Sequence, residues 1–366
     1  MKKKKWIFTF LFLVEPALGA EMVEFYTGIR QLGMGGVVVA TVNDETALIS
    51  NPAALGKLRD AFVTIADPEL TSNGPTYGMG TEGAFADVFD PFKVYEYLTD
   101  EEEDHSKDAI YAKGQIFPSV VLKNFGFGFF GKMEYSAYID EDADEDEAFK
   151  YNYTNDYAAI LGYNLRIWEG RIKIGFSGRA INRIEMHESF DSDPTQVTEI
   201  DSSDYVKEGV GIAGDAGIIL TGPWTWLPSI AAVWRDIGHT KFNQNDGLLL
   251  DTEERPDIVH STVDVGFSIT PLLSNFSRVQ IAGEYRDVTM ANKDTDPMKR
   301  IHAGIEFNFY DALFFRGGMN QRYWTAGMEI ALGILQFQVA SYGEEIGTAE
   351  NPREDRRYLG KLAIRF

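Results

Sequence analysis

The chain ends in RYLGKLAIRF, residues 357–366. Apolar or small residues occupy every second position from 358 to 366, and the charged residues Lys361 and Arg365 lie between them. Alternation with a period of two residues is the pattern of a β-strand that has one apolar face and one more polar face. The end of the chain therefore predicts a β-strand whose two faces lie in different environments, one apolar and one more polar.

The same alternation recurs along the chain and indicates the fold class. Val263, Val265 and Phe267, for example, lie opposite Asp264 and Ser268. Counting back from the C-terminus, we predict strands near 357–366, 334–342, 323–331, 312–319, 300–309, 276–288, 258–270, 227–238, 207–220, 171–186, 151–165, 126–138, 110–122 and 57–66. An even number of alternating strands is typical of bacterial membrane barrels, whose apolar face meets lipid. The prediction is an all-β fold, a transmembrane antiparallel β-barrel of about 14 strands over residues 57–366.

The lengths of the connections alternate too, which separates a barrel from a soluble sandwich. With the C-terminus on the periplasmic side, the turns on that side are short, as at 123–124 and 332–333. Most connections on the other side are long: 67–109, 139–150, 187–206, 239–257, 289–299 and 343–356. Short periplasmic turns and long extracellular loops are the rule for outer-membrane barrels, whereas a sandwich has no reason to keep this parity.

The long loops are acidic, and the formal net charge is −22. Such a charge is a poor match for nucleic acid, which binds basic surfaces. Asp140, Asp142 and Asp144 have the spacing of calcium ligands, but Glu145 and Tyr151 replace the Gly and Glu of an EF-hand loop. We therefore predict solvated extracellular loops and no metal site or cofactor, with weak bridging of divalent cations to surface lipid as the alternative. The loops could also bind protein partners.

Alternating apolar residues before a terminal phenylalanine resemble the C-terminal signature of bacterial outer-membrane barrels. The residues are Tyr358, Leu362, Ile364 and Phe366. The resemblance implies recognition by the barrel-assembly machinery and contact with outer-membrane lipid.

Residues 1–20 have the layout of a cleaved signal peptide. Four lysines precede an apolar run from Trp6 to Val14, and a stretch of mostly small residues ends at Ala20. The run is too short to span a membrane. The chain has no cysteine, which suits export without disulfides. We therefore expect the outer membrane of a Gram-negative-type bacterium.

The stretch GIRQLGMGGVVVATVNDETALISNPAAL, residues 28–55, is too irregular for one helix and too apolar for a disordered tail. It resembles the N-terminus of the FadL/TodX long-chain fatty-acid transporter superfamily, including its PorV and UPF-type relatives. The matching positions are Gly33, Gly35, Gly36, Asn43, Asp44, Ala47, Asn51, Pro52 and Ala53. The resemblance implies that residues 21–56 form a small plug, or hatch, inside a 14-stranded barrel and that these residues serve in plugging and gating.

Physical chemistry supports a compact element here. Small residues let a backbone lie close to a barrel wall. Asn43 is predicted to cap a short helix begun by Asp44 and Glu45, and Pro52 to end it near Ser50. A periplasmic leader is the alternative. A phosphate-binding loop is excluded, because no Lys-Ser/Thr pair follows the glycines.

The family resemblance implies uptake of hydrophobic small molecules, with lateral or periplasmic release. An amphipathic helix over residues 85–98 would offer Phe85, Phe89, Phe92 and Tyr95 for ligand access at the outer mouth, or would pack on the barrel rim. The predicted lumen face is charged, which indicates either ion pairing across the interior or a polar path: Lys132, Asp156, Lys173, Arg179, Asp215, Asp264, Glu284, Arg286, Glu306, Arg316, Glu329 and Arg365.

Two other classes of function remain open. A non-transporting scaffold or secretion-accessory barrel of the PorV type would use the acidic loops to bind protein partners. A rim enzyme would need histidine with carboxylates or serine; His187 is near Glu185 and Glu188, and His239 is near Asp236. These residues match no catalytic signature, and we predict that the protein is not an enzyme.

Overall fold

The structure is a computed structural model of the 366-residue chain. It describes residues 21–22, 24–82, 91–99, 105, 108–139, 148–190, 205–244, 247–250, 252–292 and 296–366. The predicted signal peptide and most of the acidic loop residues at 100–104, 140–147 and 191–204 lie outside the described residues.

One antiparallel sheet of 17 strands closes on itself. Its strands are β1 Phe62–Ala66, β2 Glu69–Asn73, β3 Ala109–Ile116, β4 Ser119–Leu122, β5 Phe125–Ile139, β6 Phe149–Ile167, β7 Ile172–Phe190, β8 Lys207–Thr221, β9 Ser229–Arg235, β10 Thr262–Ile269, β11 Leu272–Ser274, β12 Ser277–Tyr285, β13 Ile301–Phe309, β14 Leu313–Asn320, β15 Tyr323–Leu332, β16 Leu335–Glu345 and β17 Glu354–Arg365. We call each complete strand of the barrel wall, with any interruption in it, a stave. The pairs β1 with β2, β3 with β4, and β10 with β11 are each one interrupted stave, so the 17 strands make 14 staves. The closing pair joins β17 to β1 and β2.

The barrel wall is apolar outside and polar inside, as the alternation predicts. On β5, Phe127 and Phe129 are exposed on the outer surface. Lys132 belongs to the alternate, inward-facing set of β5 and is buried. Further large side chains form the same outward band: Leu161, Tyr163, Phe176, Ile218, Ile230, Phe267, Phe315, Phe337 and Leu362. Such a band is the lipid-facing surface of a membrane barrel. The predicted transmembrane antiparallel barrel of about 14 strands is confirmed.

The first stave differs from its prediction. Strand 57–66 was expected, but β1 begins at Phe62, and β2 continues the stave within the predicted loop 67–109. Pro68 interrupts the stave because proline has no N–H for the ladder. The neighbouring stave has Pro118 at its own interruption, and the Asp67 carboxylate accepts the Phe117 N–H at 2.5 Å across the gap.

The helices are short and lie at the N-terminus or beyond the outer ends of the strands. Helix α1 spans Ile29–Gly33, α2 Ala47–Ser50, α3 Gly74–Glu82 and α4 Pro91–Leu98, with 3-10 helices at Pro52–Lys57 and Pro297–Arg300. Among the described residues, none of these helices has the length and apolarity to cross a membrane.

Candidate functional site

Residues 24–58, called here the luminal segment, occupy the interior of the barrel. The segment carries α1 and α2, and nearly all its residues from 28 to 42 are buried. Helix α1 contacts β14 to β17, whereas the 3-10 helix Pro52–Lys57 contacts β6, β7 and β8 on the other side of the lumen. The segment therefore bridges two opposite parts of the wall.

Glycines allow the segment to touch the wall backbone. Gly35 and Gly36 have φ angles of 71° and 89°, which side-chain-bearing residues rarely adopt. A Cβ on Gly35 would collide with the carbonyl of Ala303, and one on the wall residue Gly304 would collide with the carbonyl of Met34. Gly33 also lies near the wall, since its Cβ would be 3.3 Å from the Cα of Gly327. The predicted residues Gly33, Gly35 and Gly36 are thus brought together against the wall.

The Asn-Pro-Ala element forms a second contact near the short turns of the barrel. Asn51 is 0% exposed; its Nδ2 donates to the Val39 carbonyl at 2.8 Å and its Oδ1 accepts the Ala53 N–H at 3.1 Å. The Ala53 carbonyl accepts from Asn164 of β6 at 3.0 Å. Pro52 lies where a Cβ on Gly175 of β7 would collide with its backbone. The element thus both folds the segment and fixes it to the wall.

Arg30 connects α1 to the rest of the segment and to the wall. Its Nε and Nη2 donate to Glu306 of β13 at 3.0 Å each, and its Nη1 donates to Asp44 at 2.8 Å and Asn43 at 2.5 Å. Burial alone would raise the pKa of the Asp44 carboxyl, but the Arg30 guanidinium and the Thr46 hydroxyl lower it to about 2.

The predicted cap of α2 is wrong. Asn43 does not cap the helix, because its side chain is bound to Arg30. Asp44 makes the local bond instead, accepting the Thr46 N–H at 3.0 Å just before α2 begins at Ala47. The predicted end of the helix near Ser50, before Pro52, is confirmed.

Further polar contacts attach the segment to the second half of the barrel. The Glu284 carboxylate on β12 accepts the N–H groups of Val38 and Val39 at 2.7 Å each. Arg365 of β17 donates to Glu45 at 2.7 Å, and the Lys57 ammonium donates to the Ala40 carbonyl at 2.7 Å within the segment.

The predicted charges of the lumen face point inward, and most of them form ion pairs; Lys173 instead donates to the Thr221 hydroxyl at 3.3 Å. Arg316 lies between Glu306 and Glu329, and Arg183 forms two hydrogen bonds with Asp156 at 2.7 and 2.8 Å. The same pattern recurs in Arg179 with Asp215 and Asp236, Arg235 with Asp264, Arg357 with Asp355, and Lys361 with Asp67. The predicted ion pairing is therefore found, but the pairs join the same or nearby strands along the inner wall rather than crossing the interior; the predicted residues among them are Asp156, Arg179, Asp215, Asp264, Glu306, Arg316 and Glu329.

Apolar side chains form part of the lumen wall on β4 to β9, among charged residues such as Lys132 and Arg179, and the segment covers them. We call this surface the apolar wall; it consists of the inward residues of β4 to β9 with Phe117: Phe117, Val121, Phe130, Ala158, Ile160, Ile181, Ala213, Ile219, Ala231 and Val233. Phe25 and Tyr26 of the segment pack their rings against Phe130, with centroids 5.0 and 5.7 Å apart.

The cavities beside the segment are small. One of about 40 Å³ is lined by residues including Tyr26, Val38, Asp44 and Arg365, and another of about 30 Å³ lies near Glu21 and Glu344. These volumes hold only a few water molecules. Neither of these two cavities is large enough for a hydrocarbon ring.

The structure does not bring the predicted ligand-access residues together. Phe85 and Phe89 lie outside the described residues. Tyr95 of α4 is 3% exposed and packs on Phe149, whereas Phe92 is 37% exposed. Tyr135, which belongs to the same apolar cluster, lies on the outward face of β5. Helix α4 therefore covers the outer flank of the barrel beyond the lipid-facing band rather than the lumen opening.

The C-terminal signature lies on the outer surface at the closing stave. Tyr358, Leu362 and Phe366 are exposed, and Ile364 pairs with Leu335 of β16 and Ala66 of β1. These positions are those of lipid-facing side chains.

Two features were missed by the sequence reasoning. The wall glycines Gly175 and Gly304 receive the segment; a glycine at an inward strand position is a signal for close backbone approach and could have indicated them. The loop 236–261 places Phe242 inside the lumen, where it packs against the Arg183 guanidinium at 5.0 Å. A single phenylalanine in a polar loop carries no such signal.

The fold is shared with known hydrocarbon channels. The toluene transporter TodX of Pseudomonas putida matches with a TM-score of 0.52 at 11% identity, over 95% of this chain and 99% of that chain. The toluene transporter TbuX of Ralstonia pickettii matches with a TM-score of 0.50 at 12% identity, over 96% and 99%. The monoaromatic hydrocarbon channel CymD matches with a TM-score of 0.52 at 10% identity, over 95% and 98%.

At this identity the likeness shows the fold alone, the closed antiparallel barrel that TodX, TbuX and CymD also have. The resemblance read from the N-terminal sequence is thereby confirmed as a likeness of structure. No protein-family model matches the chain, and no curated protein matches it by sequence.

Proposed function

We propose that this protein is an outer-membrane channel for hydrophobic small molecules and that the luminal segment is its closing element. The observation that carries the proposal is that the segment covers the apolar wall, a group of apolar side chains on β4 to β9 that lies among charged residues such as Lys132 and Arg179. Withdrawal of the segment would expose apolar side chains that include Phe117, Phe130, Ile160 and Ile181. Such a surface suits an apolar solute.

The structures of similar fold are named as toluene transporters and a monoaromatic hydrocarbon channel, which supports the same substrate class here. A fatty-acid-like ligand is the narrower proposal; its carboxylate would pair with a lumen cation such as Lys361 or Arg365 near the segment. Localisation in the outer membrane, with a signal peptide cleaved after Ala20, is part of this proposal.

A disulfide lock tests whether the segment must move. The Cβ of a residue at 33 would lie 3.5 Å from the Cβ of Ala340, which is within the range for a disulfide, and the chain has no other cysteine. In cells or liposomes carrying Gly33→Cys with Ala340→Cys, oxidation should stop uptake of labelled toluene or a labelled medium-chain acid, and dithiothreitol should restore it.

The single variants Gly33→Cys and Ala340→Cys are the matched controls and should respond to neither reagent. Uptake by the oxidised double variant at the wild-type rate, with the disulfide verified by mass, would refute the role of the segment.

The second candidate is a closed scaffold or secretion-accessory barrel. It is favoured by the small cavities beside the segment and by the many ion pairs that hold the segment in place. This candidate predicts no protein-dependent uptake of either solute in any variant, together with protein partners retained through the extracellular loops.

A further inference from the structure

We propose that Glu185, His187 and Asp257 form a binding site for a divalent transition-metal ion of the zinc class, at the extracellular end of the barrel. Glu185 and His187 are two residues apart on β7, so both side chains are on its inward face. Asp257 belongs to the loop 236–261 that folds into the mouth. One ligand atom from each of the three side chains lies within 4.8 Å of the other two.

Glu185 supplies the buried part of the site. It is 1% exposed, and its Oε1 accepts the Asp257 N–H, whereas its Oε2 has no hydrogen-bond donor. The nearest cation is Arg183, whose Nη1 is 3.8 Å from Oε2, but Arg183 already donates two hydrogen bonds to the Asp156 carboxylate. A buried carboxylate oxygen without a donor is costly, and a metal ion would satisfy it.

The donor set selects the class of metal. One imidazole with two carboxylates is a ligand set of three-coordinate protein sites for Zn²⁺, which leave a fourth position for water. Calcium would need six to eight oxygen ligands, more than this cluster offers. With metal–ligand bonds of about 2.0–2.2 Å, the ligand atoms must approach to about 3.5 Å. His187 and Asp257 are exposed and can rotate to do so.

The surroundings of His187 fit the ligand role. Its Nε2 is 3.2 Å from the Thr154 hydroxyl on β6. When the hydroxyl accepts the ring N–H, Nδ1 carries the lone pair that a metal needs, so Thr154 acts as the partner that fixes the tautomer.

Metal binding would fasten the mouth loop to the wall. The loop carries Phe242, which packs over Arg183 in the lumen, and its two arms are joined by backbone bonds between Thr240 and Val259 at 3.0 and 3.1 Å. A bridge from Asp257 to β7 closes this unit on the extracellular side. The site would therefore stabilise the closed mouth, independently of the luminal segment.

The test uses the full-length protein in detergent, freed of metal by chelator and titrated with ZnCl₂ by calorimetry. We expect one site, and at least a tenfold loss of affinity in His187→Ala, Glu185→Gln and Asp257→Asn. His260→Ala is the matched control, because this histidine is exposed on the same loop and outside the cluster. Equal affinity in wild type and His187→Ala, or an equal loss in His260→Ala, would overturn the assignment.

A second readout does not depend on affinity. Zn²⁺ should slow cleavage by a glutamate-specific protease after the exposed loop residue Glu254 severalfold in the wild type and in His260→Ala, but not in Asp257→Asn. Asp257 is an exposed loop residue, so its variant should keep the heat-modifiable mobility of a folded barrel. Zinc protection that is equal in Asp257→Asn and wild type would exclude the bridge between loop and wall.

Discussion

Arg30 of the luminal segment and Glu306 of β13 are joined by two parallel hydrogen bonds of 3.0 Å, although 276 residues separate them in the chain. The third guanidinium nitrogen holds Asp44 at 2.8 Å. One side chain therefore ties the segment both to itself and to the wall. This arrangement makes Arg30 the first position at which closure of the lumen can be tested.

Replacing Arg30 by methionine should loosen the segment. Asp44 and one edge of Glu306 would lose their buried cation, and breaking such a pair costs about 3 kcal/mol or more. We expect the wild type to be almost silent in planar bilayers and Arg30→Met to show openings. Arg278→Met is the control, since Arg278 pairs with Asp311 at a short turn where both are more than a third exposed. That pair is worth under about 1 kcal/mol, and openings of equal frequency in the control would contradict the role of Arg30.

Asn51→Ala should destabilise the segment where it turns. The variant removes the acceptor of the Ala53 N–H and the donor to the Val39 carbonyl, and both groups are buried. Leaving such groups unsatisfied costs about 1–3 kcal/mol each. Limited proteolysis from the periplasmic side should therefore cut the segment faster than in the wild type. Asn351→Ala, at an exposed loop position, should not change the rate; equal rates in all three proteins would show that Asn51 is not needed.

The barrel was predictable from sequence because strand alternation is a local property that lipid and lumen impose on each residue. The strand predicted at 300–309 is observed at Ile301–Phe309, and that at 323–331 is observed at Tyr323–Leu332. The exception is β2, whose residues ELTSN have only one large apolar side chain, Leu70. Its assignment depends on pairing with β17 and β3, which no local pattern reveals.

The interior was predictable in its location and less so in its contacts. Glycines and the Asn-Pro-Ala element indicated a compact segment, but the role of Asn43 depends on Arg30, thirteen positions away, which takes its side-chain oxygen. The pairing of Glu185 with Asp257 depends on a loop that returns to β7 from 72 residues further along the chain. Contacts of this kind follow from the closed barrel and become visible only after closure.

Gly304→Ala should weaken the packing of the luminal segment against the barrel wall just after α1. The added methyl would meet the Met34 carbonyl, which is backbone and cannot rotate away, so the segment must shift. We expect a lower urea midpoint for the folded band in cold gel electrophoresis and an increased conductance. Gly360→Ala on β17 makes the same chemical change with no atom within 4 Å of the new methyl, and should leave both quantities unchanged. A wild-type midpoint for Gly304→Ala would mean that the segment is not pressed against this strand.

Acid should weaken the ion pair between Asp44 and Arg30. Because the pKa of Asp44 falls from its ordinary 3.8 to about 2 in the folded protein, its ionised form stabilises the fold above pH 4, and this stabilisation is lost as the pH falls toward 2. The contribution is about 2 kcal/mol at pH 5 and about a third of that at pH 2.5. Urea unfolding of wild type and Asp44→Asn should therefore differ clearly at pH 5 and much less at pH 2.5. An equal difference at both pH values would show that the Asp44 carboxylate does not stabilise the fold through its charge.

The orientation of the barrel can be tested cleanly because the chain has no cysteine. Asn351 lies in the loop between β16 and β17, and Asn275 lies in the turn between β11 and β12; both are exposed and on opposite ends of the barrel. Since the C-terminus is expected at the periplasmic side, Asn351→Cys should react with a membrane-impermeant maleimide on intact cells, and Asn275→Cys should react only after the outer membrane is permeabilised. The two variants make the same substitution at similar exposure, so a difference in labelling reports position alone. Labelling of Asn275→Cys on intact cells, with Asn351→Cys protected, would reverse the topology and place the acidic loops in the periplasm.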